Sequence, residues 1–219
     1  MKQRPIVNYH ELNLEALKDE LKRIRQPTVL RAIDFAEKHH DKQVDRVYKD
    51  TPYVLHALRV GCLISKWIPA PDVIAAAILH DILEKTKVTA KTLVLEFNLE
   101  IRTIVETVTE FEKKRDDWRF GKEKKIRRLP TMPLNVLRIT FAERFDRMFS
   151  LHQNVEKFGK KIWQKLCKNK EDIEWYFGDL SFFIPIYSEL NIAPYILEYG
   201  RLYKEVFKTD IKGIRLPVS

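Results

Sequence analysis

The chain has two cysteines, Cys62 and Cys167, and six glycines among its 219 residues. Two thiols far apart in apolar stretches make no disulfide framework and read as small buried side chains in a reducing compartment. Few glycines, and no run that alternates apolar and polar residues, leave little basis for a sheet. Long apolar runs are also missing: Val73 to Leu79, the longest, has seven residues, against roughly 20 for a membrane span. Met1 to His10 carries no apolar core of a secretory signal. A cytoplasmic protein without membrane contact is therefore expected. No internal repeat and no glycine- or serine-rich linker divides the chain, which points to one domain over 1–219.

What is present reads as helix. An apolar fraction of 45% with 11% aromatics argues against disorder. Leu12, Leu14, Leu17, Leu21 and Ile24 form one amphipathic stripe, and a second helix follows Pro27. A third begins at Pro52 and carries Leu55, Leu58, Val60, Leu63 and Ile64. Val73 to Leu83 is apolar on nearly every face, as in a buried central helix. Thr89 opens another, and Ile101, Ile104, Val105 and Val108 continue the pattern. A long helix from about Leu134 to Phe158 is apolar on two sides. The aromatic tail beyond Lys170, interrupted by Pro185 and Pro194, could cover the core or mediate a homo-oligomer. The fold class expected is all-α.

The net charge of +9 is unevenly spread, because residues 113–128 alone carry +6. This basic segment can serve as an anion funnel for a phosphorylated metabolite or as a merely solvated face. Nucleic acid ranks last, since no recognition module accompanies it and Trp118 and Phe120 offer thin support for base stacking.

The sharpest local signal is His80-Asp81. Adjacent imidazole and carboxylate groups inside an apolar helix are costly unless compensated. A divalent metal would compensate them, since both are ligands and the ion cancels the acid's charge. A hydrogen-bonded couple without metal is the alternative. Glu84 follows one turn after His80, where a base or acid would stand. His56 lies 24 residues before His80, and Glu143 is a carboxylate on a helix otherwise apolar on two sides.

This ordered set resembles the ligands of the HD phosphohydrolase superfamily. Four stretches, His40-Asp-Lys-Gln43, Thr51-Pro-Tyr53-Val-Leu-His56, Ala76 to Thr86 and Ile104 to Thr109, resemble the hydrolase domain of the RelA/SpoT alarmone family. Phe141 to Met148 is similar to that family's later metal-ligand helix. The likeness covers about residues 28–155 and extends to small stand-alone alarmone hydrolases of the metazoan SpoT-homologue type. It implies an HD-domain helical bundle with additional C-terminal helices over about 160–208. It also implies a Mn²⁺ site held by His56, His80, Asp81 and Glu143, and hydrolysis of the 3′-pyrophosphate of ppGpp or a similar nucleotide. Glu84 matches the first acid of a catalytic pair.

Several positions depart from that pattern. Lys85 stands where the second acid belongs, and either removes a proton-handling group or supplies a phosphate-binding cation in its place. Asp45 replaces a guanine-stacking arginine, with Arg46 beside it. Arg147 replaces an asparagine, while Ser150 keeps a hydroxyl where threonine is usual. The resemblance thus gives Glu84 and Lys85 as catalytic candidates and Arg46, Tyr53, Arg147 and Ser150 as substrate contacts. Asp81–Lys85 and Glu143–Arg147 also have the spacing of ordinary helical ion pairs. If that is their whole role, the alternative is a non-catalytic nucleotide sensor with a degenerate site.

Overall fold

Most helices begin where the sequence offers a group to satisfy, or to omit, the free N–H groups of a first turn. A computed structural model describes residues 6–45, 51–110, 118–166, 169–180, 183–187, 189 and 191–211. Asn13 opens α1 (Leu14–Lys22), its side-chain oxygen accepting from the Ala16 N–H at 3.0 Å. Pro27 occupies the first turn of α2 (Pro27–His39), where its missing N–H costs nothing. Next come α3 (Val54–Trp67), α4 (Pro71–Ile78), again opened by proline, and the single turn α5 (Ile82–Lys85). Thr89 caps α6 (Ala90–Glu96) and Asn98 caps α7 (Leu99–Val108), accepting from backbone N–H groups at 3.2 and 2.9 Å. The remaining helices are α8 (Trp118–Arg128), α9 (Leu134–Phe158), α10 (Lys161–Leu166), α11 (Lys170–Gly178), α12 (Ile184–Tyr187) and α13 (Ala193–Phe207). Among the described residues there is no strand, only an isolated antiparallel bridge between Val44 and Pro52. The all-α expectation holds.

Two expectations need correction. The helix expected to run unbroken from Val73 to Leu83 ends at Ile78, and Leu79 to Asp81 form a turn before α5. Leu79 and Asp81 adopt φ, ψ of −95°, 4° and −99°, 0°, outside regular helix. Apolar periodicity cannot report such a break, because both sides of the turn are buried alike. The third helix starts at Val54, two residues after Pro52, which is held by its bridge to Val44.

The described helices fall into two compact units. The first holds residues 8–113 together with 138–142 of α9. In it α3 packs on α4, α2 and α7 also lie against α4, and α1 lies against α3. Every residue from Val73 to Ile78 is buried, as expected of a helix apolar all round. Phe141 stacks on Trp67 with ring centroids 5.8 Å apart.

The second unit holds 114–137, 143–219 and the N-terminal residues to Val7. Its core is aromatic: Tyr176, Phe177, Phe183, Tyr195, Tyr199, Tyr203 and Phe207 are buried. The tail therefore covers its own core. Arg144 is enclosed there, with its guanidinium 4.5 Å from the Tyr176 ring and an N–H donating to the Asp179 carbonyl at 2.8 Å. Buried arginine suits such a place because its planar, weakly hydrated cation stacks on ring faces.

One glycine sets the approach of α3 to α4. A Cβ on Gly61 would come within 2.5 Å of Ile78 Cγ1, well inside contact distance. Alanine normally gains about 1 kcal/mol over glycine inside a helix. Gly61→Ala is nevertheless expected to lower stability by about 1–3 kcal/mol through overpacking, measured by urea denaturation. Ile78→Ala removes the clashing carbon, so the double variant should lose less than the sum of the two single losses.

Candidate metal centre

The break after α4 belongs to the chemistry of the site. In an unbroken helix the Ala77 carbonyl would accept from the Asp81 N–H. Here the His80 ring takes that carbonyl, with Nδ1 2.8 Å from the oxygen. A carbonyl only accepts, so Nδ1 carries the proton and His80 Nε2 presents a lone pair. That Nε2 lies 3.2 Å from Nε2 of His56, which projects from the first turn of α3. Asp81 Oδ2 is 3.4 Å from the His80 nitrogen and 3.9 Å from the His56 nitrogen. All three side chains are buried.

Two of these three separations are those of ligands around one metal ion, and the third, between His56 and Asp81, is slightly wider. Ligand atoms about 2.0–2.2 Å from a common centre lie roughly 3.0–3.6 Å from one another. Two imidazole nitrogens and a carboxylate oxygen are also a donor set that divalent transition metals accept. The residues present therefore fit a metal.

A second layer steadies the first. The buried Tyr53 hydroxyl donates to Asp81 Oδ2, the oxygen that faces both histidines. His40 Nδ1 lies 2.9 Å from Gln43 Oε1, and Gln43 Nε2 donates to the Lys85 carbonyl oxygen at 3.1 Å. Burial pushes the His40 imidazole below its ordinary pKa, with the Gln43 bond and the Asp81 charge opposing. Gln43 is brought here by its loop: the Tyr53 N–H donates to the Gln43 carbonyl and the Asp45 N–H to the Thr51 carbonyl, both at 2.9 Å.

Among the other candidates, Glu84 and Lys85 are neighbours in α5 and form an ion pair. Lys85 therefore spends its charge on Glu84, whereas helical spacing had suggested Asp81. Glu143 and Arg147 do pair at 3.2 Å, as spacing suggested, in the second unit. Lys125 adds a second cation to Glu143 at 3.1 Å, with both side chains mostly buried. His56, His80 and Glu143 are side chains that could each give a metal ion one ligand atom. Ser150 is half-buried on α9, and its carbonyl accepts from the Asn154 side chain at 2.7 Å. Arg46 lies outside the described residues.

Three cations of the basic segment are engaged with their own unit. Arg119 pairs with Asp172 at 2.9 Å and lies 4.7 Å from the Trp175 ring. Lys122 stands 5.1 Å from the Tyr176 ring, and Lys125 is the partner of Glu143. These cations fasten α8 to α11 and α9, while Arg127 and Arg128 are exposed and residues 113–117 lie outside the described residues. Sequence reading missed Gln43 as the anchor of His40, and Lys125 as the partner of Glu143. Lys125 had a signal of its own, an apolar neighbour in Ile126 that turns inward with it. Gln43 had none beyond its place in a motif.

Comparison with known proteins places these residues in a family. The HD domain profile matches residues 32–174. A guanosine-3′,5′-bis(diphosphate) 3′-pyrophosphohydrolase of Borreliella burgdorferi is 26% identical over 207 residues, covering 90% of this chain and 28% of the relative. One of Xenopus tropicalis is 37% identical over 84 residues, or 37% of this chain and 47% of the relative. The chain thus spans between 15% and 47% of the length of the curated relatives it matches. The solved structure of a metazoan orthologue of SpoT superposes with a TM-score of 0.60 at 19% identity, over 80% of this chain and 95% of that one. That likeness establishes a shared fold. No helix among the described residues is long and apolar enough to cross a membrane.

Tyr53 supplies a hydrogen bond to a buried carboxylate, so its hydroxyl should matter most without metal. Tyr53→Phe is expected to cost about 1–3 kcal/mol of stability in EDTA. The loss should be smaller with excess Mn²⁺, because a bound cation offers Asp81 the positive charge it otherwise lacks. Chemical denaturation under the two conditions checks both.

Proposed function

The chain belongs to the HD-domain family, and from that premise we propose a metal-dependent phosphohydrolase acting on a phosphorylated nucleotide, ppGpp foremost. The observation that carries the reading is the convergence of His56 Nε2, His80 Nε2 and Asp81 Oδ2 within 3.2–3.9 Å of one another in a buried setting. His56, His80 and Asp81 would hold the ion, with Mn²⁺ the first choice. Glu143 is proposed as the fourth ligand: it follows directly on Arg138–Ala142, the part of α9 assigned to the histidines' unit. Relatives carrying the name guanosine-3′,5′-bis(diphosphate) 3′-pyrophosphohydrolase supply the choice of nucleotide.

A divalent cation in such a site lowers the pKa of water and screens the charge on phosphoryl oxygens. The chain's own residues do the rest. The Ala77 carbonyl keeps the proton of His80 on Nδ1, so that Nε2 stays an electron-pair donor. Tyr53 holds Asp81 in place, and that is the role we assign to its hydroxyl. Lys85 is the proposed donor to a phosphate oxygen, and Glu84 the carboxylate that takes up the proton released by the attacking water and returns it to the leaving oxygen. Arg46, Arg147 and Ser150 are proposed as further contacts to the nucleotide.

The ion pair between Lys85 and Glu84 favours a second reading, a nucleotide sensor whose acid is neutralised by its neighbour. Metal analysis joined to a Mn²⁺-supplemented nucleotide panel decides. The hydrolase reading expects a bound transition metal and EDTA-sensitive release of pyrophosphate from ppGpp. His80→Ala should then remove both metal and turnover, and Lys85→Asp should raise kcat. Tight ppGpp binding by calorimetry, with no turnover in either the wild type or Lys85→Asp, would establish the sensor. Neither metal nor nucleotide binding would sink both readings.

A further inference from the structure

One buried acceptor beside this site has no donor. His40 is 2% exposed, and no hydrogen-bonding atom reaches its Nε2. The proton on that ring can be located by following the chain of bonds outward. The Lys85 carbonyl oxygen accepts from Gln43 Nε2, which settles the orientation of the Gln43 amide. Gln43 must then turn its oxygen to His40, and an amide oxygen only accepts. His40 Nδ1 is therefore the donor, and Nε2 keeps its lone pair. A buried imidazole lone pair left unmet is costly, and such groups mark places where a ligand or water belongs.

Its surroundings say what kind of ligand. The ring centroid of His40 is 5.1 Å from that of Tyr53, whose hydroxyl is committed to Asp81. The Glu84 carboxylate is engaged by Lys85. The Nε2 atoms of His56 and His80 face each other and Asp81. Each carboxylate among the candidates thus already accepts a bond from a side chain of this protein, and His40 Nε2 is the imidazole acceptor with none.

We propose that His40 Nε2 accepts a hydrogen bond from the water that attacks phosphorus, and that Gln43 and the Lys85 carbonyl orient the ring for it. This rests on the hydrolase reading and adds a catalytic residue to it. The arrangement assigns a second task to the Lys85 position: its main chain anchors Gln43 whatever side chain it carries. It places His40 at the incoming water as a hydrogen-bond acceptor, while the proton released there is the one that Glu84 returns to the leaving oxygen.

The test pairs kinetics with a readout that needs no turnover. With ppGpp and Mn²⁺, His40→Leu should lower kcat by about 10²–10³-fold, the scale of a lost proton acceptor. KM and the Mn²⁺ affinity measured by calorimetry should change little. Gln43→Leu, which frees the ring without removing it, should cost less, about 10-fold in kcat. An unchanged kcat in His40→Leu would overturn the proposal, as would loss of Mn²⁺ binding, which would make His40 a ligand or a folding residue. Independently, long-range ¹H–¹⁵N spectra of histidine-labelled wild-type protein should show His40 protonated on Nδ1 with a bare Nε2. Loading with diamagnetic Zn²⁺ should move that Nε2 signal toward a hydrogen-bonded value. The opposite tautomer, or a signal that ignores Zn²⁺, would reject the role of His40 even if no nucleotide is hydrolysed. Absence of ppGpp hydrolysis with the expected spectra would instead fault the choice of reaction.

Discussion

The bond from His80 Nδ1 to the Ala77 carbonyl is the interaction on which the site depends. It takes from the main chain an acceptor that continuing the helix would use, and α4 stops. The same bond decides which ring nitrogen is bare. One hydrogen bond thus creates the turn, selects the tautomer and leaves Nε2 facing His56. Asp81, the next residue, is carried by that turn beside both imidazoles, where its charge is costly unless a cation or a donor answers it. Tyr53 supplies the donor.

Within each unit, basic side chains neutralise acids of the chain itself. Lys85 answers Glu84, while Lys125 and Arg147 answer Glu143. Arg119 and Lys122 spend themselves on the ring faces and the acid of α11. Each such pair removes one charge of either sign, so the formal net charge of +9 is unchanged and these contacts act locally, fixing where the acids and bases sit.

Much of this could be read from residues alone, for identifiable reasons. Helix starts at Pro27, Thr89 and Leu134 were legible because proline placement, a capping hydroxyl and apolar periodicity are local signals. His56, His80 and Asp81 were legible because polar groups in apolar stretches are costly and stand out. The turn at Leu79–Asp81 was not, since it comes from a side chain competing with the main chain inside a uniformly apolar run. Gln43 and Lys125 were hidden for another reason. Their partners lie 42 residues away, at Lys85, and 18 residues away, at Glu143. Only the folded chain brings such pairs within reach.

The close contact of Gly61 with Ile78 reaches beyond stability. His56 and His80 project from α3 and from the end of α4, so their separation is inherited from how closely those helices can approach. A missing methyl group sets that approach, and the dense packing behind it resists both widening and narrowing. Two nitrogens mounted on such a frame act as a fixed-aperture caliper for ionic radius. Calcium takes oxygen ligands at about 2.3–2.6 Å in loose geometries and prefers harder donors than a pair of imidazole nitrogens. Ion discrimination in this fold would then be a property of helix packing as much as of the ligands themselves.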